Sequence, residues 1–407
     1  MQKVIVRAVG MAVGAAALAG VAHAEEAATL SDAITGGELI LEARPRLELF
    51  EQSGQNDAEA FTLRTRLGWK TASWHGLTGL VEIEDVRDLG GRYNDGIPPV
   101  EPYASIPDPQ GTELNRLQLA WRANEHFTGT IGRQTIEFDD KRFIDASNSR
   151  QDARTLDAVR GDFTFGSLKA TYAYVDQVNN TTAEYNDWYS ESHLLNVTQT
   201  FSPAFKLTGF VYALDFDTAS AINQSSRFVG VRASGRVDAM DTHFDYAASF
   251  ANQTDYGNST VNFDLDYWQA SLTATHGEWA GRVWYESLEG NGARGFFVPI
   301  GSSNNFQGWA GAFTTKPADG VNDFNVGVTY SPEWAPDYLD DLAFMARWYD
   351  FEAERTGVDF GNEWDLSVSA NISEHVNWSV EYGDYEAGDP GSPVSRTRTR
   401  FMLQYKL

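Results

Sequence analysis

The chain has 407 residues, 31 Lys+Arg against 57 Asp+Glu for a formal net charge of -26, and no cysteine. Without thiols it cannot be a disulfide-stapled module or carry a thiolate metal or redox site, and its acidity argues against a general nucleic-acid binder, which needs a basic surface. Twelve Trp, 17 Tyr and 24 Phe exclude an intrinsically disordered chain.

In chain order, the first segment has the pattern of an export signal. Lys3 and Arg7 precede a run of small apolar residues from Ala8 to Val21, and Ala22-His23-Ala24 follows. A basic start, a short apolar middle and an A-x-A exit define a cleavable secretory signal; a membrane-spanning helix would need about 20 apolar residues. Residues 1–24 are therefore expected to be removed, 25–37 to form a short periplasmic lead, and 38–407 to form the folded body.

From Glu38 onward the hydropathy period is two. Leu39, Leu41, Ala43, Leu47 and Leu49 alternate with Glu42, Arg44, Arg46 and Glu48, and Phe61, Leu63, Leu67 and Trp69 with Thr62, Arg64, Arg66 and Lys70. Alternation of this kind puts the two sets on opposite faces of a strand. It returns along the chain and runs to the end in Phe401, Leu403, Tyr405 and Leu407. A soluble sandwich would press the apolar faces together, whereas a membrane barrel turns them to lipid and the charged faces to a wet lumen. Aromatic residues at segment ends (Phe50, Trp69, Trp121, Tyr174, Tyr330, Tyr382) and charges of both signs on the polar faces favour the barrel. So do short turns such as Trp74-His75-Gly76 alternating with longer polar segments.

The fold expected is an all-β, transmembrane, antiparallel up-and-down β-barrel of about eighteen strands, wide enough for an aqueous channel. The first nine strand centres fall near Arg44, Arg66, Val81, Gln118, Ile131, Val159, Tyr172, Asn196 and Gly209. The rest fall near Val231, Tyr246, Trp268, Val283, Val326, Phe344, Val368, Ser379 and Leu403.

Long irregular segments interrupt this pattern. Asp88 to Thr112 holds Pro98, Pro99, Pro102, Pro107 and Pro109, and Gly290 to Asn322 is rich in Gly, Ser and Asn with Phe296, Phe297, Phe306, Trp309 and Phe313. Loops of this length are often functional. In a barrel they would fold inward and narrow the pore, or else shield it from the medium.

The candidate pore residues are charges on the polar faces. Arg44, Arg46, Arg64, Arg66 and Lys70 come from the first two strands, and Arg116, Arg122 and Arg160 from the next few, opposed by Glu42, Glu48, Glu82, Glu84 and Asp162. Guanidinium groups facing a wet channel attract carboxylates, and acidic neighbours keep binding weak enough for conduction. The bland alternative is cross-strand pairing that holds the wall together.

Nothing points to an enzyme. The seven His are isolated, and no G-x-S-x-G or H-E-x-x-H occurs. Asp139-Asp140 and Asp337/Asp340/Asp341 lack the spacing of a calcium loop and read as solvated. No metal and no cofactor is expected.

The order of short motifs up to residue 160 resembles the alginate-export family of outer-membrane porins. The pieces are Leu63-Arg64-Thr65-Arg66-Leu67-Gly68-Trp69, Val81-Glu82-Ile83-Glu84-Asp85-Val86-Arg87 and Asp108-Pro109-Gln110-Gly111-Thr112-Glu113. Gly132-Arg133-Gln134, Arg142-Phe143-Ile144, Arg150-Gln151 and Thr155-Leu156-Asp157-Ala158 follow. The resemblance implies a monomeric eighteen-stranded barrel whose Arg-lined constriction passes an anionic polysaccharide, with constriction arginines mapping onto Arg64, Arg66, Arg133, Arg142 and Arg154.

The sequence thus leads to the expectation of a Gram-negative outer-membrane channel for anionic saccharides such as alginate-type uronate chains. The alternative is a general small-solute porin with a mixed-charge eyelet. Expected partners are membrane lipid, lipopolysaccharide and the anionic solute, with no nucleic acid.

Overall fold

A strand with one apolar and one charged face can satisfy both only where its two sides meet different media, and this chain does so by closing on itself. The computed structural model describes residues 26–182, 185–302, 306–336 and 338–407. The expected signal segment 1–24 lies outside them, as does Asp337.

One short helix, α1 (Leu30–Thr35), opens the described chain, capped by Thr29 and Asp32. It is pinned beside the first short turn, where Trp69 Nε1 donates to Ile34 O at 2.8 Å. The strands follow in order: β1 (Glu38–Gln52), β2 (Ala58–Lys70), β3 (Leu77–Arg92), β4 (Gly111–Asn124), β5 (Phe127–Gln134) and β6 (Thr155–Phe165). Next come β7 (Leu168–Asn179), β8 (Trp188–Ser202), β9 (Phe205–Leu214), β10 (Ser226–Ala239), β11 (Thr242–Asp255) and β12 (Asp264–His276). The last are β13 (Trp279–Leu288), β14 (Val321–Tyr330), β15 (Asp340–Glu352), β16 (Asp359–Ser373), β17 (Val376–Ala387) and β18 (Arg396–Lys406). Each pairs antiparallel with its sequence neighbours, and β1 closes on β18 through partners such as Leu47 and Phe401. Closure leaves no sheet edge, so backbone polar groups along the wall are paired between strands.

This is a closed 18-stranded antiparallel all-β barrel, and all the expected strand centres fall within observed strands. Its faces are inverted relative to a water-soluble sandwich: outward Leu67 is 55% exposed, while inward Arg64 on the same strand is 0% exposed. Leu39, Val81, Ile83, Leu117, Ile131 and Val159 share the outer surface. An apolar exterior around a charged interior suits hydrocarbon outside and water inside. Among the described residues no helix is long and apolar enough to cross a membrane.

At one end of the barrel the connections are mostly tight turns, and at the other they include three long segments, 93–110, 135–154 and 289–320. These three enter the barrel. Ala104 and Ile106 of the first pack on Phe50, Ala58 and Ala60. Phe143 of the second meets Phe210, Phe228 and Tyr267 of the wall and Phe296 of the third. Much of the upper interior along the β7–β17 wall is therefore an apolar core built between loops and wall.

Candidate functional site

Alternation along β18, β1 and β2 brings a row of arginines together. Arg396, Arg398 and Arg400 lie on the inner face of β18, in antiphase with outward Phe401 and Leu403. Closure sets them opposite Gln52, Phe50 and Glu48 of β1, with Arg46 and Arg44 following along the same inner face, and Arg64 and Arg66 of β2 complete the row. Arg116 on β4, Arg133 on β5 and Arg160 on β6 extend it around the wall.

Carboxylates run between these guanidinium groups. Glu48 is met by Arg398 at 2.6 Å, Arg46 at 3.3 Å, Arg400 at 3.5 Å and Arg150 at 3.7 Å. Glu42 pairs with Arg64, and with Arg66 at 3.7 Å; Glu84 pairs with Arg66, and with Arg64 at 3.8 Å. Arg116 forks onto Glu82 at 2.9 and 2.5 Å, and Arg133 onto Asp157 at 2.8 and 3.0 Å. Arg160 bonds Asp162 at 2.7 Å. Two-pronged geometry makes the forked pairs strong and directional.

Segment 148–151 of the second inward loop lies directly on this row. Arg44 donates to Asn148 O at 2.7 Å, to Gln151 Oε1 at 3.0 Å and to Arg150 O. Arg46 donates to Ser149 O at 2.7 Å and Arg64 to Asn148 Oδ1 at 2.9 Å. Asp108 of the first loop locks the arrangement from above, pairing with Arg46 and accepting from Gln151 N at 2.8 Å. Arg44, Arg46 and Arg64 are consequently buried, whereas Arg66, Arg116, Arg133 and Arg160 remain partly open to the interior.

Not every expected pore residue joins the row. Lys70 sits at the short-turn end, half-exposed and paired with Glu38 at 3.3 Å. Glu82 and Glu84 are there as partners of arginines. Arg142 belongs to the second loop and reaches the far wall, pairing with Glu286 at 2.8 Å and stacking over Phe306 at 4.8 Å. It also donates to Ser302 O at 2.6 Å, which ties the second inward loop to the third. Arg154 bonds Asp145 O of its own loop at 3.2 Å and Asn180 Oδ1, just after β7, at 3.1 Å.

The far wall carries the opposite sign. Glu286, Asp323, Glu363 and Asp365 are buried on its inner face, and Arg282 and Arg347 lie beside them on β13 and β15. The third loop is fastened here: Ala310 N donates to Glu363 at 2.7 Å and Trp309 N to Asp365 at 3.2 Å. Arg396 reaches across to Gly311 O at 3.1 Å.

Burial in the second inward loop, with a lesser push from Glu137, raises the Asp145 carboxyl to about 6 against the opposing pull of Arg154 and Lys141. The loop acids read as solvated are in fact engaged. Asp140 pairs with Arg232 at 2.7 Å, Asp139 accepts from Asn196 at 2.8 Å and Asp341 from Asn371 at 3.0 Å. Glu84, Glu113 and Asp152 bring carboxylate oxygens within 4.8 Å of one another, but Arg66 and the Ala153 amide already bind Glu84.

Sequence reading missed Arg396, Arg398 and Arg400, although Arg-Thr-Arg-Thr-Arg in antiphase with Phe401 and Leu403 signals them. It also missed the inward turn of residues 135–154, which no local pattern announces.

No protein-family profile and no curated protein sequence matches the chain. Solved structures do. Pseudomonas aeruginosa OpdQ superposes with a TM-score of 0.71 at 15% identity, covering 91% of this chain and 98% of that one. Acinetobacter baumannii OccAB2 gives 0.71 at 15% identity, covering 92% and 99%. Pseudomonas aeruginosa OpdK, in a structure with vanillate, gives 0.70 at 12% identity, covering 91% and 98%. At these identities the likeness carries the fold. It does not single out the alginate-export family that the N-terminal motifs resemble.

Proposed function

We propose that the protein is an outer-membrane porin for small solutes, with a mixed-charge constriction that favours carboxylates. The observation that carries this reading is the arginine row from β18 to β6, interrupted only by Glu82 and Glu84 of β3 and lying inside a barrel whose exterior is apolar. Guanidinium groups at the rim of a narrow aqueous path raise the local anion concentration, and their paired carboxylates keep residence short. Arg66, Arg116, Arg133 and Arg160 are the groups a passing solute meets; Arg142 and Arg154 hold the loops. OpdK, similar in fold, has been solved with vanillate, a small carboxylate, in keeping with this substrate class. The chain acts as a channel and not as an enzyme, in a Gram-negative outer membrane reached through a signal peptide cleaved after Ala24, and works as a monomer.

A uronate polymer such as alginate suits the geometry less well. An extended polyanion needs an unobstructed run of guanidinium groups, and segment 148–151 covers Arg44, Arg46 and Arg64. Liposome-swelling rates with glucuronate and glucose, solutes of similar size that differ by a carboxylate, test the proposal. Faster glucuronate entry, with no block by oligouronates, supports it; equal rates would remove the carboxylate preference. Block by oligouronates would restore the polysaccharide reading.

A further inference from the structure

Arg44 is the unusual member of the row. It is 3% exposed, and among the described residues no carboxylate lies within ion-pair distance of it. Its neighbours Arg46, Arg64 and Arg66 each have acidic partners. Every hydrogen bond recorded for the Arg44 guanidinium goes to a neutral acceptor, and all of those acceptors belong to residues 148–151: Asn148 O, Arg150 O and Gln151 Oε1. Glu42 acts on Arg44 through its charge but lies outside ion-pair distance, so the buried guanidinium bonds neutral dipoles alone, and a carboxylate is a stronger acceptor for guanidinium than an amide carbonyl.

The same segment is held elsewhere by Arg150, which pairs loosely with Glu48 at 3.7 Å and Asp108 at 3.8 Å, and by contacts that an anion could also replace. Ser149 O rests on Arg46 at 2.7 Å and Asn148 Oδ1 on Arg64 at 2.9 Å, again neutral oxygens on cationic donors. The oxygens of 148–151 thus occupy the positions that carboxylate oxygens of a solute would take on this part of the row. Further anchors, Gln151 Nε2 to Thr62 Oγ1 at 2.8 Å and Gln151 N to Asp108 at 2.8 Å, fasten the C-terminal end of the segment to β2 and to the first loop, so these contacts too must open for the segment to leave the wall.

We propose that segment 148–151 is a displaceable internal ligand: an incoming carboxylate takes the Arg44 guanidinium from the carbonyls of Asn148 and Arg150 and so frees the segment from the wall. The resting channel is then self-occluded along its upper arginines, and the solute it selects opens it. This inference rests on the carboxylate-channel reading, and the test separates the two.

The chain has no cysteine, so Thr62→Cys with Gln151→Cys provides a unique pair that a short, reducible bis-thiosulfonate reagent can bridge. Correct assembly is checked by heat-modifiable gel migration, and each single-cysteine variant treated with the reagent serves as control. Before bridging, glucuronate should enter proteoliposomes faster than glucose. After bridging, glucuronate entry should fall by at least about tenfold, the scale of one strong charge-assisted contact, and recover on reduction. Glucuronate preference that survives bridging would overturn the displaceable segment while leaving the channel reading in place. No preference before bridging would overturn both. The unaltered chain gives a second readout by hydrogen exchange: the amides of 148–151 should exchange faster with glucuronate than with glucose, and equal exchange would contradict displacement.

Discussion

Arg44 and Arg64 stand directly opposite one another on β1 and β2, yet their charges are answered differently: Arg64 reaches Glu42 and Glu84, and Arg44 reaches only neutral oxygens of the inward segment. Like charges facing across a ladder repel, so the pair depends on Glu42, which also holds Arg66 at 3.7 Å. Glu42→Gln should leave this group of buried guanidinium groups undercompensated and cost about 3–5 kcal/mol. Urea or guanidinium unfolding in lipid vesicles checks it, with Glu38→Gln, an exposed pair at the short-turn end, expected to change stability by less than about 1 kcal/mol.

A substitution on the outer face separates lipid from water as the medium. Leu67 is 55% exposed, and on a water-soluble protein a lysine there would be harmless. Against hydrocarbon, Leu67→Lys should cost about 2–4 kcal/mol if the site lies at the bilayer midplane and less toward the interfaces. Unfolding from vesicles measures the difference.

How much of this was legible from residues alone depended on the range of the contacts. Alternation such as Leu39/Leu41 against Glu42/Arg44 is encoded within a few positions, so the strands and their facing followed from it directly. Composition marked the proline-rich and glycine-rich loops in the same way. The seating of segment 148–151 was not legible, because it depends on Arg44 and Gln151, 107 residues apart, and because Phe143 and Ile144 look locally like any short apolar patch. Arg142 and Arg154 resemble pore residues by motif, but their partners, Glu286 and Asn180, are specified by how the loops turn inward.

Acidity should tighten the second inward loop. Burial raises the folded-state pKa of Asp145 from 3.8 to about 6, so docking of the loop takes up a proton between those values. The docked form therefore gains stability as pH falls through about 6 and loses it as pH rises. Hydrogen exchange of residues 142–151, corrected for intrinsic rates, should show more frequent opening at pH 7.5 than at pH 5. Asp145→Asn should remove most of that difference.

The third loop lies against β16 at Gly308, whose φ is +76° and where an added Cβ would overlap the Glu363 carboxylate. Gly308→Ala should lift the loop and break the amide contacts of Ala310 and Trp309, at a cost of about 1–3 kcal/mol. Single-channel recording should show a larger conductance than that of the unaltered chain.

The reversal potential across a planar bilayer under a potassium chloride gradient tests the central claim most directly. The chain's net charge of -26 would by itself favour potassium, so the sign of that potential isolates what the arginine row does. The account predicts chloride preference, reduced at least about twofold in permeability ratio when Arg66→Gln and Arg116→Gln are combined. Potassium preference in the unaltered channel, or a ratio indifferent to those two arginines, would contradict it.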